Sequence, residues 1–239
     1  CDELIEGEGS VTSRNYKLKD ISGVILDMPG KLIVSQGEQA VTVTTNENIY
    51  EWLDLYVSKG VLHIELRDNV EVWDFDEMRF EVSIPEPSYI KLEGSGDVLV
   101  SDSLVVNNAI DLELEGSGDV IISKLRANHS NLIVEGSGNI RCDEIYCTSV
   151  SSKIEGSGNI TLAGDVLNST INIEGSGNIL SYDMVSQDVI VKSEGSGNCH
   201  ITVLKTLNVD IEGSGSVFYK GNPLITISTE GSGSVNRVN

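Results

Sequence analysis

The sequence predicts an all-β fold: a right-handed parallel β-helix, or β-solenoid, with coils of about 20 residues and an N-terminal β-rich region capping one end. Three observations predict it. First, the tetrapeptide Glu-Gly-Ser-Gly occurs eight times, its glutamate falling at 93, 115, 135, 155, 174, 194, 212 and 230. Self-similarity at such a period marks units that cannot bury an apolar face alone and stack to do so. Second, apolar and polar residues alternate around it, as in Leu112-Glu113-Leu114-Glu115 and Ile171-Asn172-Ile173-Glu174, the period-two pattern of strands. Third, hydrophobic residues make up 39% of the 239 and aromatics only 5%. A core of Ile, Val and Leu favours strands over helix bundles.

Taken in chain order, residues 1–10 read as a tether. The sequence begins Cys1-Asp2-Glu3, which resembles the mature start of a bacterial lipoprotein with a lipid on Cys1. The plain alternative is an arbitrary starting point. Residues 11–88 lack the repeat and read as β-rich. Lys31 to Val34 and Ala40 to Thr44 flank Gln36-Gly37-Glu38 as one expected hairpin, and Leu53 to Val57 with Val61 to Leu66 flank Ser58-Lys59-Gly60 as another. Asn48 to Glu51 reads as the cap of a short helix, with Ile49, Trp52, Leu53 and Tyr56 at helical spacing, or in its modest version as a single turn before the strand. Arg79 to Ile84 is a strand, and Pro85-Glu86-Pro87 marks the boundary after it. This region is expected to cover an open end of the solenoid.

Residues 89–239 hold the repeats. Their spacing runs from 22 residues (115 less 93) to 18 (230 less 212). Each Glu-Gly-Ser-Gly is followed by Asp, Asn or Ser and then by an apolar file: Val98, Val120, Ile140, Ile160, Ile179, Cys199, Val217 and Val235. Another apolar cluster falls midway, as at Leu125 to Ala127 and Ile145 to Cys147. Each unit thus supplies two or three short strands. Eight coils at the spacing of paired strands make a rod about 40 Å long. Leucine-rich repeats, nine-residue calcium repeats and propeller blades fit the letters or the period less well.

The tetrapeptide reads as the corner of the coil. In register, neighbouring glutamates stand about 4.8 Å apart. Each pair costs roughly 0.9 kcal/mol in water and about 3.5 kcal/mol at an effective dielectric of 20, so the file is expected in solvent or locally neutralised. Glycine is expected for its backbone freedom, serine for a hydroxyl bond to its counterpart, and the corner amides for an anion nest. The Asp, Asn or Ser that follows is expected to bond locally in a turn. The eight glutamates Glu93, Glu115, Glu135, Glu155, Glu174, Glu194, Glu212 and Glu230 are therefore the candidate binding residues, as a repeated face for a partner. Calcium is the cation that such carboxylates suit.

The formal net charge is −21. That field repels phosphate backbones and anionic lipid surfaces, which argues against nucleic acid and against membrane contact other than through a lipid anchor. No stretch approaches the roughly 20 apolar residues that cross a bilayer as a helix. Cys142 and Cys147 are candidates to pair across a bend, though spacing alone does not fix disulfide geometry, and Cys199 reads as a small core residue.

Chemistry is sparse. His63, His129 and His200 lie far apart in sequence, His200 is expected to point outward, and none has a metal-type partner at fixed spacing. HExxH, the P-loop, GxGxxG and GxSxG do not occur. Asp74 and Asp76 lie in the densest acidic run and are weak candidates for a cation, while Trp73 and Phe75 between them suit either packing or sugar stacking. Glycosidases need two carboxylates at a defined separation, and no pair stands out.

The order of features resembles the auto-transporter adhesin family called the head GIN domain. The matching residues are Ser22-Gly23-Val24, Gly37-Glu38-Gln39-Ala40-Val41, Lys59-Gly60-Val61-Leu62-His63-Ile64, and Ile90 to Val98 with its repeats. The likeness covers nearly the whole chain, and the repeats are its distinctive part. It implies an extracellular β-helical protein of Gram-negative bacteria and an adhesive role, and it supplies no catalytic residue. The expectation is a secreted or surface-tethered, non-enzymatic binding protein. Its partner would be a glycan or a protein on a cell or matrix surface. The alternatives are a carbohydrate-active β-helix (a polysaccharide lyase or hydrolase) and a structural envelope lipoprotein. The last turn closes soon after Glu230, and its open edge predicts a homodimer.

Overall fold

The computed structural model describes residues 3–239; Cys1, the expected lipid site, lies outside them. Strands make up 66% and helix 2%. From residue 89 the chain winds in parallel coils of about 20 residues, forming a β-solenoid of about seven turns between the eight corners.

Each turn feeds three parallel sheets. In one turn, Ala109–Leu114 lies in the first sheet, before the corner, and Val120–Val134 follows it. The head of that long strand serves the second and third sheets, and its tail re-enters the first sheet one turn on. Single strands run through two bends, and pairing with the next turn resumes after each, with register shifts at several of them, as between Cys142 and Ile145. Along the core files register is kept: Val120 pairs Ile140, which pairs Ile160, then Ile179, Cys199 and Val217.

The core is a set of such files. Leu92, Leu114, Val134, Ile154, Ile173 and Ile211 belong to one of them and are fully buried. Each such side chain contributes about 1.5–3 kcal/mol on burial, and stacking on the turns above and below completes that burial. Ser193 interrupts this file between Ile173 and Ile211. It is buried, and its hydroxyl, like those of Ser130, Ser152 and Ser169, has no hydrogen-bond partner among the described residues. An unpaired buried hydroxyl destabilises the fold, so Ser193→Ala is expected to raise stability by about 1 kcal/mol. A urea midpoint that falls instead of rising would refute this.

The stack does not stop at residue 89. Gly23–Asp27 pairs Tyr89–Leu92 on one edge and Val61–Leu66 on the other. Lys31–Gln36 likewise lies between the strand Asp97–Val105 and Met78–Ile84. Antiparallel strands then close that end: Leu53–Ser58 on Val61–Leu66, Ala40–Asn46 on Met78–Ile84, and Val11–Asn15 outermost. The turn of the 53–66 hairpin carries Lys59 and Gly60 at φ 51° and 82°, the left-handed pair that matches strand twist in a two-residue hairpin loop.

The other expected hairpin does not form. Lys31–Gln36 and Ala40–Asn46 both flank Met78–Ile84 and do not pair each other. Parallel stacking has already taken both edges of 31–36, leaving no edge for 40–46. The helical turn is a 3-10 turn, Glu47–Glu51, which buries Ile49 and Tyr50. Part of the expected tether is held: Glu3–Glu6 pairs Val70–Asp74 and buries Ile5 against Val72. At the other end, Leu224–Thr229 and Val235–Arg237 are paired on one edge only among the described residues.

Cys142, Cys147 and Cys199 are buried free thiols, so the candidate Cys142–Cys147 bridge is not formed. Burial pushes the Cys142 thiol up to about 12 and Cys147 up to about 11, which keeps both protonated and inert.

Candidate functional site

The corner glutamates come together along one edge of the rod. Each backbone N–H donates to the turn before: Glu135 to Leu114, Glu155 to Val134, Glu174 to Ile154 and Glu194 to Ile173, at 2.8–2.9 Å. The file runs further than the repeat. Glu93 donates to Leu26, which sets Asp27 next in line; Asp27 pairs Glu65, and Glu65 pairs Asp54. Eleven carboxylates therefore mark one edge from the cap to the last turn. The three added acids lack the tetrapeptide around them. For Asp27 and Glu65 the signal in the sequence is only the apolar-x-apolar-acid ending, in Val24-Ile25-Leu26-Asp27 and Leu62-His63-Ile64-Glu65, that they share with the repeats, and Asp54 lacks even that.

Solvent and lysine make this file tolerable. The glutamates from Glu115 onward are exposed. Lys91 bridges two turns, its Nζ 2.5 Å from Glu93 and 2.8 Å from Glu115. Burial works against its charge, but the bonds to Glu115 and Glu93 outweigh it and hold the ammonium above the ordinary lysine range. Lys153 joins Glu155 and Glu174 in the same way, and hydrogen bonds to both raise it. Lys192 occupies the same file and, with Glu194, Asp210 and Glu212, lines a crevice of about 60 Å³. Glu135 has no ion-pair partner among the described residues. Partial burial, then the Glu93 charge, raises the Asp27 carboxyl above its usual range.

The corner departs from its expected chemistry in three ways. Its amides do not form an anion nest: they are spent on carbonyls of the previous turn, as in Gly136 to Leu114, Ser137 to Gly116 and Gly138 to Gly116. The serine therefore reaches its neighbour through its N–H, where a hydroxyl bond was expected. Nor are the glycines there for left-handed angles; none of the corner glycines has positive φ. They are there because the turns approach so closely. A methyl group on Gly138 would lie 1.7 Å from the Gly118 carbonyl oxygen, and one on Gly136 would lie 2.0 Å from that of Gly116.

The residue after the corner also bonds between turns, where local bonds were expected. Asn139 donates N–H and Nδ2 to Asp119 Oδ1, Asn159 does the same to Asn139, and Asn178 to Asn159, all at 2.9–3.0 Å. The ladder continues through the backbone amides of Asn198 and Ser216. A side-chain amide, with its own donors and acceptor, repeats at the coil spacing without loss.

The remaining candidates disperse. Asp76 is tied to Asn46, through Nδ2 to its carboxylate at 2.7 Å and through its own N–H to Oδ1 at 3.0 Å. No group of three metal-ligating side chains forms among the described residues. Trp73 stands 61% exposed while Phe75 packs against the core. His63 stacks on Tyr56 at 4.6 Å, His129 contacts Ser149, and His200 is half-buried between Tyr182 and Phe218 at 5.1 and 5.0 Å. Burial lowers the His200 pKa.

Comparison with known proteins places the chain. Its backbone superposes on a crystal structure described as a putative adhesin from Parabacteroides distasonis ATCC 8503, with TM-score 0.90 and 21% identity over 99% of this chain and 100% of that one. A second structure from the same organism, described as a putative lipid binding protein, matches with TM-score 0.92 and 26% identity over the same shares. A putative adhesin from Parabacteroides merdae ATCC 43184 gives 0.89 and 20%, again over 99% and 100%. No curated protein matches the sequence. A family model matches residues 21–223, which hold the stacked turns, the glycine corners and seven of the eight glutamates; the chain belongs to the family described as putative auto-transporter adhesin, head GIN domain.

Proposed function

We propose that this protein is a non-enzymatic binding protein of the secreted or outer cell-surface space. In this reading it is an adhesin that presents the acidic edge of its solenoid to a glycan or protein on a cell or matrix surface. The observation that carries the reading is the single file of eleven carboxylates, fixed at the coil spacing along the rod. A rigid array of like charges suits a partner that repeats basic groups, and such contact is steered by long-range attraction. The regular turns support a non-catalytic role, since their length varies by only four residues (22 less 18).

Glu135, Glu194 and Glu212 are exposed at their side chains, so reversing their charge leaves the core untouched. Beads coated with the Glu135→Lys/Glu194→Lys/Glu212→Lys variant are expected to adhere to cells or matrix about tenfold less than wild type. Wild-type adhesion should itself fall steeply between low salt and about 0.15 M, where the Debye length is about 8 Å. Equal adhesion by variant and wild type would end the proposal. Release of reducing ends from neutral or acidic polysaccharides would favour the carbohydrate-active alternative instead.

A further inference from the structure

A gap in the third sheet of the stack opens a cleft. The third sheet starts at Ser103 to Val105, which pair the following turn at Lys124 to Arg126. On its other side no strand follows, because the chain leaves Lys31–Gln36 for the cap. Gln36 fills part of the gap as a one-residue substitute for a strand. Its Nε2 donates to the Val105 carbonyl at 2.9 Å, and its Oε1 accepts from the Val105 N–H at 2.8 Å. Gln39 does the same for the Leu18 carbonyl and the Ile21 N–H. Between these two braced walls, the Pro85 to Ser88 segment and the loop before Ala109, lies a cavity of about 580 Å³, within the range of small-ligand sites.

We propose that this cleft binds an uncharged saccharide unit. Asp20, Glu86, Asn107 and Asn108 line it. All four are exposed, so their side-chain polar atoms are open to solvent and to a ligand. Carboxylates accept and amides both donate and accept, which matches adjacent sugar hydroxyls. Pro85 and Val106 supply apolar wall for the C–H face of a ring. No Lys, Arg or His lines the cleft, and two carboxylates in an acidic protein repel uronates, sialates and phosphates. A peptide strand fits less well. The Val105 N–H and carbonyl it would pair are already held by Gln36, and a bulge between Val100 and Ser103 breaks the edge. Asp20 sits at φ 57°, a left-handed angle for a residue other than glycine, and such angles gather at functional sites.

The inference rests on the reading of the chain as a binding protein and names a ligand class at a second place on it. The two fail separately, because the edge is read by adhesion and charge reversal, the cleft by sugar binding. The test titrates the full chain with di- to tetrasaccharides of glucose, galactose, mannose and N-acetylglucosamine at millimolar concentration. Saturation-transfer NMR and calorimetry report binding, with glucuronate and sialate oligomers and a Ser/Thr-rich peptide alongside. At least one uncharged saccharide is expected to bind. Asp20→Gly removes the carboxylate and relieves the backbone angle, so the fold is kept. Asp20→Gly and Asn107→Ala should each weaken binding by about tenfold, the scale of one lost hydrogen bond to a charged or amide group. Lys205→Ala, an exposed position that lines neither the cleft nor the acidic edge, should bind the sugar as wild type does. No binding by any uncharged saccharide would overturn the proposal. So would binding of the peptide or the acidic sugars in their place, or cleft variants that bind as tightly as wild type.

Discussion

Gly138→Ala is expected to abolish the cooperative fold of the repeat region, at a cost of at least about 4 kcal/mol. The added methyl would lie 1.7 Å from the Gly118 carbonyl oxygen and 2.8 Å from its carbon. Both are backbone atoms and cannot swing aside. Gly118 is itself held in register by the turn before it, and Gly158 stands in the same relation to Gly138, at 1.7 Å. Relief therefore means separating turns and losing their paired backbone and buried files together. The control is Gly37→Ala, where the nearest atom is the Ser83 hydroxyl at 3.1 Å, a small group that can turn away. Circular dichroism melts of the two variants check this. A Gly138→Ala melt within a few degrees of wild type would show that the turns can spread, and the account of the corner would fail with it.

Asn159→Ala is expected to cost about 2–4 kcal/mol. Three bonds go: Asn159 Nδ2 to Asn139 Oδ1 at 2.9 Å, and the Asn178 N–H and Nδ2 to Asn159 Oδ1 at 2.9 and 3.0 Å. Alanine also leaves the part-buried Asn178 amide without its acceptor, and an unmet donor costs more than a lost bond. Asn159→Asp should fall between, because it keeps the acceptor for Asn178 but sets a carboxylate against Asn139 Oδ1. The chain already tolerates that arrangement once, where Asp119 follows Asp97. Urea midpoints of the three proteins give the order. Equal midpoints for Asn159→Ala and wild type would mean that the ladder is decoration.

Period and alternation made the coils legible, because both record one physical demand: each turn must offer its neighbour an apolar face. They also placed the glutamates on one edge. The roles inside the corner were not legible. Glycine and asparagine are turn residues by local rules, yet here each acts on the turn above or below; serine was expected to reach the next turn through its hydroxyl and does so through its N–H. Sequence shows who is next along the chain, whereas a solenoid decides by who is next along the axis. For the same reason Asp27, Glu65 and Asp54 were missed, as their neighbours in the file lie far away in sequence. The 31–34/40–44 hairpin failed likewise: short range favoured it, but the long-range partners 79–84 and 97–99 had already claimed both edges. The cleft had no signal at all, since it exists only where a strand is missing.

The early segment 21–36 is wedged between chain that comes later, with 61–84 on one side and 89–99 on the other. Its two halves therefore assemble by different rules. Beyond residue 99 every new winding docks on one made about 20 residues earlier, a short closure repeated without change. The opening end must wait for both flanks, so a chain emerging from a ribosome or a translocation pore holds its first hundred residues unfinished and dependent on protection. Biogenesis, more than equilibrium stability, is where this architecture is most exposed.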